Sequence, residues 1–203
     1  MTIKPILEAF PEAKVGGPAI ASCEHKLMKG FIDLCRDNGT QLDFLSWHIY
    51  SDDLSRHENL SELVKGYLKD YPGKKPELMV TELNKSFDQV SVEELAFESR
   101  RAAISAAIFL VQMDAGLDWT FYYHVWDRTC YPDDFAKFFE DVYIMIKHWN
   151  EVPHRFGMFG VNQEVRPQYF VYQMMGCLGD QRVAASSNDS DLIVRGVMGE
   201  RKV

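Results

Sequence analysis

The sequence predicts an α/β fold in which helices cover a parallel sheet. Three features of the chain indicate this fold. Strand-like segments alternate with amphipathic helical segments throughout most of the chain. The second strand-like segment, "LDFLSWHIY" (42–50), is apolar on both sides, as a strand buried on two faces is. The polar residues of each predicted strand gather at its carboxyl end, and right-handed crossovers are expected to join the strands.

The first predicted elements occupy the segment before residue 40. "KPILEAFPEA" (4–13) is typical of the end of a helix, and "KVGGPAIAS" (14–22) predicts a short strand that contains a tight Gly-Gly-Pro turn. Apolar residues at helical spacing predict a helix over Glu24 to Arg36, which the turn sequence "DNG" (37–39) ends.

The middle of the chain continues the alternation. The strand at 42–50 is followed by a polar segment, "SDDLSRHEN" (51–59), which we expect to be a loop. An amphipathic helix is predicted over Ser61 to Tyr71, and "ELMVTELN" (77–84) is the third strand. A long helix is then expected over 91–116, because it opens with a capping box and closes at a glycine.

The segments after residue 116 continue the alternation of strands and helices. We expect a fourth strand, a helical excursion, a short extended piece and a further helix, over 117–127, 132–153, 155–161 and 166–179 respectively. After Gly179 the helical pattern stops, and one or two strands are expected around "NDSD". The predicted domains are therefore residues 1–179 and a β-rich segment over 180–203.

Composition excludes several classes of function. The 203 residues are 46% hydrophobic and 26% charged, which is typical of a soluble globular chain with one large domain or a domain with an appendage. The net charge is -8, and no cluster of Lys and Arg with interleaved aromatic residues is present. Nucleic acid is therefore not an expected partner.

No cofactor, metal site or disulfide framework is expected. The four cysteines are scattered without CxxC pairs, and we expect them to be buried thiols. His25, His57, His148 and His154 are expected at the surface, and no set of His, Asp or Glu has metal-ligand spacing. Ser51 and Asp52 near His48 do not make a hydrolytic triad, because no G-x-S-x-G elbow is present.

The chain as given shows no membrane partner and no signal peptide. Its first residues lack an apolar h-region, and the longest apolar run, "AAISAAIFLVQM", is shorter than a membrane span. We expect a soluble protein, whose compartment the sequence leaves undetermined.

Candidate functional residues lie at the carboxyl ends of the predicted strands, where parallel α/β proteins bind ligands. Their hydroxyl, imidazole, carboxylate and aromatic groups are suited to a sugar, because flat rings stack on its C–H groups while polar edges take its hydroxyls. The residues are Pro18 to Ser22, His48, Tyr50, Asp52, Glu82, Asn84, Tyr122, Tyr123, His124, Trp126 and Asp127.

Four collinear motifs carry a resemblance to a known family. "KVGGPA", "LDFLSWHIY", "ELMVTELNKS" and "DWTF" resemble strands five to eight of a (β/α)8 glycoside hydrolase of family 39, the β-xylosidase and α-L-iduronidase group. The resemblance covers roughly residues 10 to 180. It implies a partial TIM barrel, followed by the start of a β-sandwich-like appendage.

The resemblance also implies roles for individual residues. Glu82 matches the catalytic nucleophile, His48 and Tyr50 match the pair that orients it, and Trp119 matches an aromatic position near the sugar. The chain continues as "YYHVWDRT" where the family usually has a serine and acidic residues, which leaves the sugar open. Further substrate contacts are expected from Asn84, Tyr122, Tyr123 and Trp126.

The implied function is retaining, β-xylosidase-like hydrolysis of a glycoside or oligosaccharide. Its second carboxyl group belongs to strand four of the family barrel, and we expect strands one to four to lie outside this chain. Self-association or an N-terminal half-barrel chain would then complete the site. A non-catalytic carbohydrate-binding or remnant half-barrel is an alternative, as is another glycosidase of the same clan, such as an arabinofuranosidase or a glucanase.

Each candidate site residue also has a purely structural or solvent-exposed alternative role. Glu82 alone could be a solvated loop residue or a salt-bridge partner, and His48 a satisfied core histidine. Tyr122, Tyr123 and Trp126 could pack under the helix expected after Pro132.

Overall fold

The structure is a computed structural model that describes residues 3–86, 98–151 and 156–199. The capping box predicted near residue 91 and the position of His154 lie outside the described residues. Two compact units divide the chain. The first comprises residues 1–83 and 111–122, and the second comprises 84–110 and 123–203.

Helices and strands alternate along the first half of the chain, as predicted. The bounds are α1 (Ile3–Ala9), β1 (Gly16–Ile20), α2 (Lys26–Asp37), β2 (Phe44–Tyr50), α3 (Leu54–Tyr67), β3 (Glu77–Asn84), α4 (Glu98–Asp114) and β4 (Trp119–Tyr122).

The four strands form one sheet in the order β1-β2-β3-β4. β1 runs parallel to β2, with Gly16 opposite Phe44, and β3 runs parallel to β4, with Met79 opposite Trp119. The predicted α/β class with a parallel sheet is confirmed. Since sequential parallel strands are neighbours, their carboxyl ends meet at one edge of the sheet.

The core of the first unit lies on both faces of β2. Leu45, Ser46, Trp47 and Ile49 are all buried along this strand. Such continuous burial is typical of a parallel strand covered on both faces, and each large apolar side chain contributes about 1.5–3 kcal/mol on burial. Residues of α2, α3 and β3 complete this core, including Met28, Ile32, Cys35, Leu60, Val64, Leu78 and Val80.

Gly16 permits the close approach of β1 to β2. A Cβ at this position would lie 2.1 Å from the backbone oxygen of Phe44, which is well inside van der Waals contact. Any side chain here would push the two strands apart, so the first glycine of the predicted Gly-Gly-Pro turn is a packing requirement.

The predicted loop over 51–59 is wrong, because α3 begins at Leu54. The Asp53 side chain caps this helix by accepting a hydrogen bond from the Ser55 amide at 2.9 Å. His57, expected at the surface, is only 1% exposed and shares the inward face of the helix with Leu60. The helix ends at Tyr67, four residues before the predicted end.

The fourth predicted strand is shorter than expected, since β4 ends at Tyr122 rather than at Asp127. The chain instead returns to an isolated parallel bridge between Trp126 and Phe159. The preceding helix, α4, ends as predicted, with Gly116 in the left-handed region at φ 69°.

The helical excursion predicted over 132–153 consists of short pieces in the second unit. They are α5 (Pro132–Phe135), α6 (Val142–Ile146) and a π-helical turn (Lys147–Glu151). The prediction of one helix is wrong because a second start signal lies inside it. Asp141 caps a new helix by accepting from the Tyr143 amide at 3.0 Å.

The end of the described chain contains one helix and a hairpin. α7 spans Pro167–Gly176, and β5 (Gln181–Val183) pairs antiparallel with β6 (Gly196–Met198). The strands predicted after Gly179 are thus confirmed, whereas the domain boundary between residues 179 and 180 stays a prediction.

The cysteines differ in exposure. Cys23, Cys35 and Cys130 are buried, but Cys177 is exposed, so its predicted burial is wrong. It follows directly after the last residue of α7. None of the described helices is both long and apolar enough to cross a membrane.

Candidate active site

The candidate site of the first unit lies at the carboxyl ends of β2 and β3. His48 and Tyr50 are two residues apart on β2 and so point to the same side of the sheet, and Glu82 lies near the end of the neighbouring strand β3. Strands that are buried on both sides hold these side chains on a stiff support. The local sequence therefore places three polar groups together where the sheet ends.

The Glu82 carboxylate contacts both β2 side chains. The Tyr50 hydroxyl donates a hydrogen bond to Oε2 of Glu82 at 2.7 Å. Nδ1 of His48 lies 3.3 Å from the same oxygen. The His48 and Glu82 side chains are 19% and 33% exposed, so the carboxylate is restrained but still reachable by a ligand.

This arrangement orients the Glu82 carboxylate. Both contacts converge on Oε2, so they restrain this oxygen and leave Oε1 for a ligand. The structure thus brings together Glu82, His48 and Tyr50, as the sequence predicted.

Asn84 is engaged inside the protein. Its Nδ2 donates to the backbone oxygen of Tyr123 at 2.5 Å, its Oδ1 accepts from the amide of Lys85 at 2.7 Å, and the residue is 3% exposed. This geometry favours a structural role in holding the chain at Tyr123. The expected sugar contact of Asn84 stays a prediction, which requires the amide to exchange partners.

The two aromatic candidates on β4, Trp119 and Tyr122, lie at different distances along the sheet from the end of β3. Trp119 is 53% exposed and lies opposite Met79, three residues before Glu82 along β3. Tyr122 lies opposite Leu83 and is half-buried. The register therefore brings Tyr122, rather than Trp119, level with the end of β3. The sugar contacts of both residues stay predictions.

The other aromatic candidates belong to the second unit. Tyr123 packs edge-on against His124 with ring centroids 4.7 Å apart. Trp126 stacks on Phe159 at 5.5 Å and keeps 46% of its surface exposed. Tyr123 also contacts Trp149 of the π-helical turn, with ring centroids 6.1 Å apart, so the alternative of packing against this helical segment holds for Tyr123. Their sugar contacts also stay predictions.

A cavity of about 390 Å³ lies within the second unit, which the sequence did not indicate. Arg166, whose side chain is 3% exposed, forms an ion pair with Asp127 at 2.5 Å and lies 3.4 Å from Glu164. The charges at this wall are thus internally compensated. Burial lowers the pKa of His124, which also lines the cavity, so its ring is neutral near neutral pH.

The described residues contain no group of three or more His, Cys, Asp or Glu side chains that could hold a metal ion. The side chains that meet at the ends of β2 and β3 are a carboxylate, an imidazole and a phenol.

Comparison with protein-family models determines the family of the chain. The model of the family described as "Glycosyl hydrolases family 39" matches residues 1–202. The chain belongs to glycosyl hydrolase family 39. The family assignment that the four sequence motifs indicated is confirmed. Among curated proteins, none shows a significant sequence match to the chain.

Solved structures share the fold at low sequence identity. A glucosidase from Croceicoccus marinus is 21% identical, with a TM-score of 0.69, over 92% of this chain and 36% of its own. A GH39 β-xylosidase from Caulobacter crescentus is 17% identical, with a TM-score of 0.66, over 94% of this chain and 40% of its own. A xylanase (Xyn10A) from Cellvibrio japonicus has a TM-score of 0.54 at 11% identity and is covered over 51% of its length.

The matches cover most of this chain but less than half of the glucosidase and the β-xylosidase. This family 39 chain is matched almost throughout, but it spans only 36–40% of the length of the glucosidase and the β-xylosidase. The shared fold is therefore a part of each larger structure.

Proposed function

We propose that this family 39 chain carries the nucleophile of a retaining O-glycosyl hydrolase, and that Glu82 is that nucleophile. One observation carries the proposal. The Glu82 carboxylate lies at the end of a buried strand with the Tyr50 hydroxyl 2.7 Å and His48 Nδ1 3.3 Å from its Oε2. A retaining glycosidase needs such an ionised carboxylate on a rigid support, aligned with the anomeric carbon.

The reaction would proceed in two displacements. Because Oε2 already accepts from Tyr50, we assign the attack on the anomeric carbon to Oε1 of Glu82. The bond between this carbon and the leaving oxygen breaks as that oxygen takes a proton from an acid, and a glycosyl ester of Glu82 forms. Water then attacks the same carbon and gives its proton to the conjugate base, and the Glu82 carboxylate leaves. Tyr50 and His48 hold the carboxylate throughout.

The second carboxyl group is proposed to lie outside these 203 residues. Retaining enzymes place it about 5–5.5 Å from the nucleophile. The chain spans 36% and 40% of two structures that share its fold, which supports a site completed by further barrel strands. In this proposal residues 1–179 form the second half of a (β/α)8 barrel, and residues 180–203 begin a β-rich appendage.

The described sheet has edges on which further strands could pair. Each of β1 and β4 has one neighbouring strand in the sheet formed by the described residues. Trp119 and Phe121 on β4 are 53% and 48% exposed. Exposed aromatic side chains on an edge strand support a partner that covers them, either an N-terminal half-barrel or a second copy of this chain.

The proposed substrate is a glycoside or oligosaccharide, with β-xylosides as the first candidates. The solved structures of similar fold include a β-xylosidase and a glucosidase, which supports testing both sugars. Tyr122 at the level of the β3 end supplies an aromatic ring suited to a sugar face.

The test is hydrolysis of a panel of aryl glycosides, β-xyloside first, by the wild type, Glu82→Gln and Glu77→Gln. Aryl leaving groups need little acid assistance, so they suit a site whose acid lies elsewhere. Glu77 begins the same strand and its carboxylate pairs with exposed Lys14, which makes it a matched control. We expect Glu82→Gln to lose about a thousandfold or more in kcat and Glu77→Gln to retain it.

Covalent trapping identifies the nucleophile directly. A 2-deoxy-2-fluoro glycoside with a good leaving group should add one sugar to the peptide that contains Glu82, as read by mass spectrometry. Absence of turnover and of labelling in the folded wild type, on every sugar, would favour the non-catalytic carbohydrate-binding alternative. Light scattering tests the partner proposal separately, since a stable compact monomer would contradict self-association.

A further inference from the structure

His57 is a buried histidine of α3 with both ring nitrogens engaged. The residue is 1% exposed. Its Nε2 lies 3.1 Å from the backbone oxygen of Ser51, and its Nδ1 lies 3.0 Å from Nε2 of Gln112. Gln112 is also 1% exposed and lies in α4. The ring therefore joins three segments of the first unit: the residue after β2, α3 and the last turn of α4.

The partners of the ring determine where its proton lies. A backbone carbonyl only accepts, so Nε2 carries the hydrogen and donates it to Ser51. Burial lowers the pKa of His57, which keeps the ring neutral near neutral pH. Nδ1 consequently accepts from the Gln112 amide group. The oxygen of that amide has no hydrogen-bond partner among the residues that the structure describes, so the contact with His57 determines the amide orientation.

The residue that His57 holds is adjacent to the candidate site. Ser51 follows Tyr50 directly, and its hydroxyl accepts from the Asp53 amide at 3.1 Å. Tyr50 in turn donates to Glu82. Because the Tyr50 hydroxyl lies at the tip of a long side chain, a small rotation of the backbone at residues 50 and 51 displaces it from the carboxylate.

We propose that His57 is a positioning residue for the Tyr50–Glu82 pair, which it acts on by holding the Ser51 carbonyl at the end of β2. The effect of His57 on catalysis rests on the proposed function, whereas its effect on the position of Tyr50 does not. His57 acts on Tyr50 through the backbone, because its ring contacts the carbonyl of the next residue, Ser51.

Three variants separate positioning from general stability. His57→Leu removes both nitrogens, and His57→Gln keeps an amide donor for Ser51. Val64→Ala, on the buried face of the same helix, loosens the core without touching Ser51. We expect His57→Leu to lower kcat about tenfold with KM within about twofold, and His57→Gln to restore most of it. Val64→Ala should lower the Tm by a similar amount with little change in kcat.

A double-mutant cycle tests the route of the effect. If His57 acts through Tyr50, the double variant should have a kcat within about twofold of that of Tyr50→Phe. The hydrogen bond between Tyr50 and Glu82 is already lost in Tyr50→Phe, so His57→Leu has nothing further to remove. Fully multiplicative losses would overturn the proposal. The proposal would also be overturned if His57→Leu and Val64→Ala lowered the Tm equally and lowered kcat equally.

A readout without turnover distinguishes this proposal from the proposed function. With 3-fluorotyrosine placed at position 50 alone, the 19F resonance reports the contact with Glu82, and Glu82→Ala, which removes the acceptor, supplies the reference for its loss. We expect His57→Leu to shift the resonance toward that reference and Val64→Ala to leave it in place. An unmoved resonance in folded His57→Leu overturns the proposal. A moved resonance in a chain that hydrolyses no glycoside supports it and counts against the proposed function alone.

Discussion

The Tyr50 hydroxyl donates a hydrogen bond of 2.7 Å to Oε2 of Glu82, and this bond joins the carboxyl ends of two neighbouring strands. A bond to an ionised partner in a half-buried site is stronger than one between neutral groups. The same contact thus restrains the sheet and orients the carboxylate, which in the proposed function attacks the sugar. Its loss should be visible in catalysis more than in stability.

The first prediction concerns this hydroxyl. Tyr50→Phe should lower kcat/KM for an aryl glycoside by about 10- to 100-fold, because a hydrogen bond to a charged group is worth about 1.5–3 kcal/mol. Steady-state kinetics and the Tm of both proteins provide the measurement. The fold should persist, since the aromatic ring remains.

Tyr71→Phe is the matched control for this prediction. The Tyr71 hydroxyl donates to the backbone oxygen of Thr40, between α2 and β2, at 2.6 Å. The variant loses one hydroxyl of the same kind, which should cost about 1 kcal/mol of stability without affecting kcat. Equal losses of activity in both variants would contradict a specific role for Tyr50.

The second prediction concerns the buried ion pair of the second unit. Asp127→Asn removes a carboxylate that lies 2.5 Å from the guanidinium of Arg166, whose side chain is 3% exposed. The free energy of unfolding should fall by about 3 kcal/mol, because the buried guanidinium loses its short ion pair and keeps only the longer contact with half-exposed Glu164. Denaturant unfolding measures the change.

An exposed pair provides the comparison for this second prediction. Lys14 and Glu77 lie 3.0 Å apart, and the Lys14 side chain is 65% exposed. Glu77→Gln should cost less than about 1 kcal/mol, since water screens the pair. A similarly small cost for Asp127→Asn would mean that the second-unit pair is solvated in solution.

The third prediction is a loss of stability in acid that depends on His57. Burial lowers the pKa of this residue from its ordinary 6.5, so the unfolded chain binds its proton more readily than the folded one. The contribution is fully present above about pH 6.5 and is lost as the pH falls toward the folded pKa. Denaturant unfolding from pH 7.5 to 5 should show this decline.

Substitution isolates the His57 contribution to the pH profile. His57→Gln cannot titrate, so its stability should fall less steeply with acid than that of the wild type. Part of the slope should remain, because burial also lowers the pKa of His124. Nearby Asp52 and Asp53 favour the proton on His57 and Arg56 opposes it, yet desolvation has the largest effect. Parallel pH profiles of the two proteins would contradict the assignment.

The fourth prediction concerns thiol reactivity. Cys177 is exposed, whereas burial raises the pKa of Cys23 to about 12. A thiol reagent at pH 8 should therefore modify Cys177 first, and Cys23, Cys35 and Cys130 only after unfolding. Mass spectrometry of native and denatured samples measures the order. Cys177→Ser should abolish the rapid native reaction, and rapid modification of Cys23 would be inconsistent with this structure.

Much of the first unit could be predicted because its signals are local. Alternation of apolar strands and amphipathic helices indicated four strands in chain order, and the observed sheet follows that order. Glu82, His48 and Tyr50 could be placed together for the same reason, since all three lie near the ends of consecutive parallel strands. Their mutual distances required the structure.

The start of α3 shows why local polarity misled. The segment before Ser61 is rich in polar residues, yet these face solvent from a helix that Asp53 caps. His57, Leu60, Ser61 and Val64 recur at helical spacing and are all buried. The inward face was therefore visible in the sequence, but only if a histidine and a serine are accepted as core residues.

By itself, the sequence determined the order of the elements, the family and the strand end on which Glu82 lies, because periodicity and motif spacing are properties of neighbouring residues. Only the tertiary structure decided that Tyr50 and His48 meet one oxygen of Glu82, that His57 is enclosed by a glutamine 55 positions away, and that Cys177 is exposed. Each of these depends on packing between segments distant in the chain, where burial and hydrogen-bond partners select among side-chain environments that the local sequence permits equally.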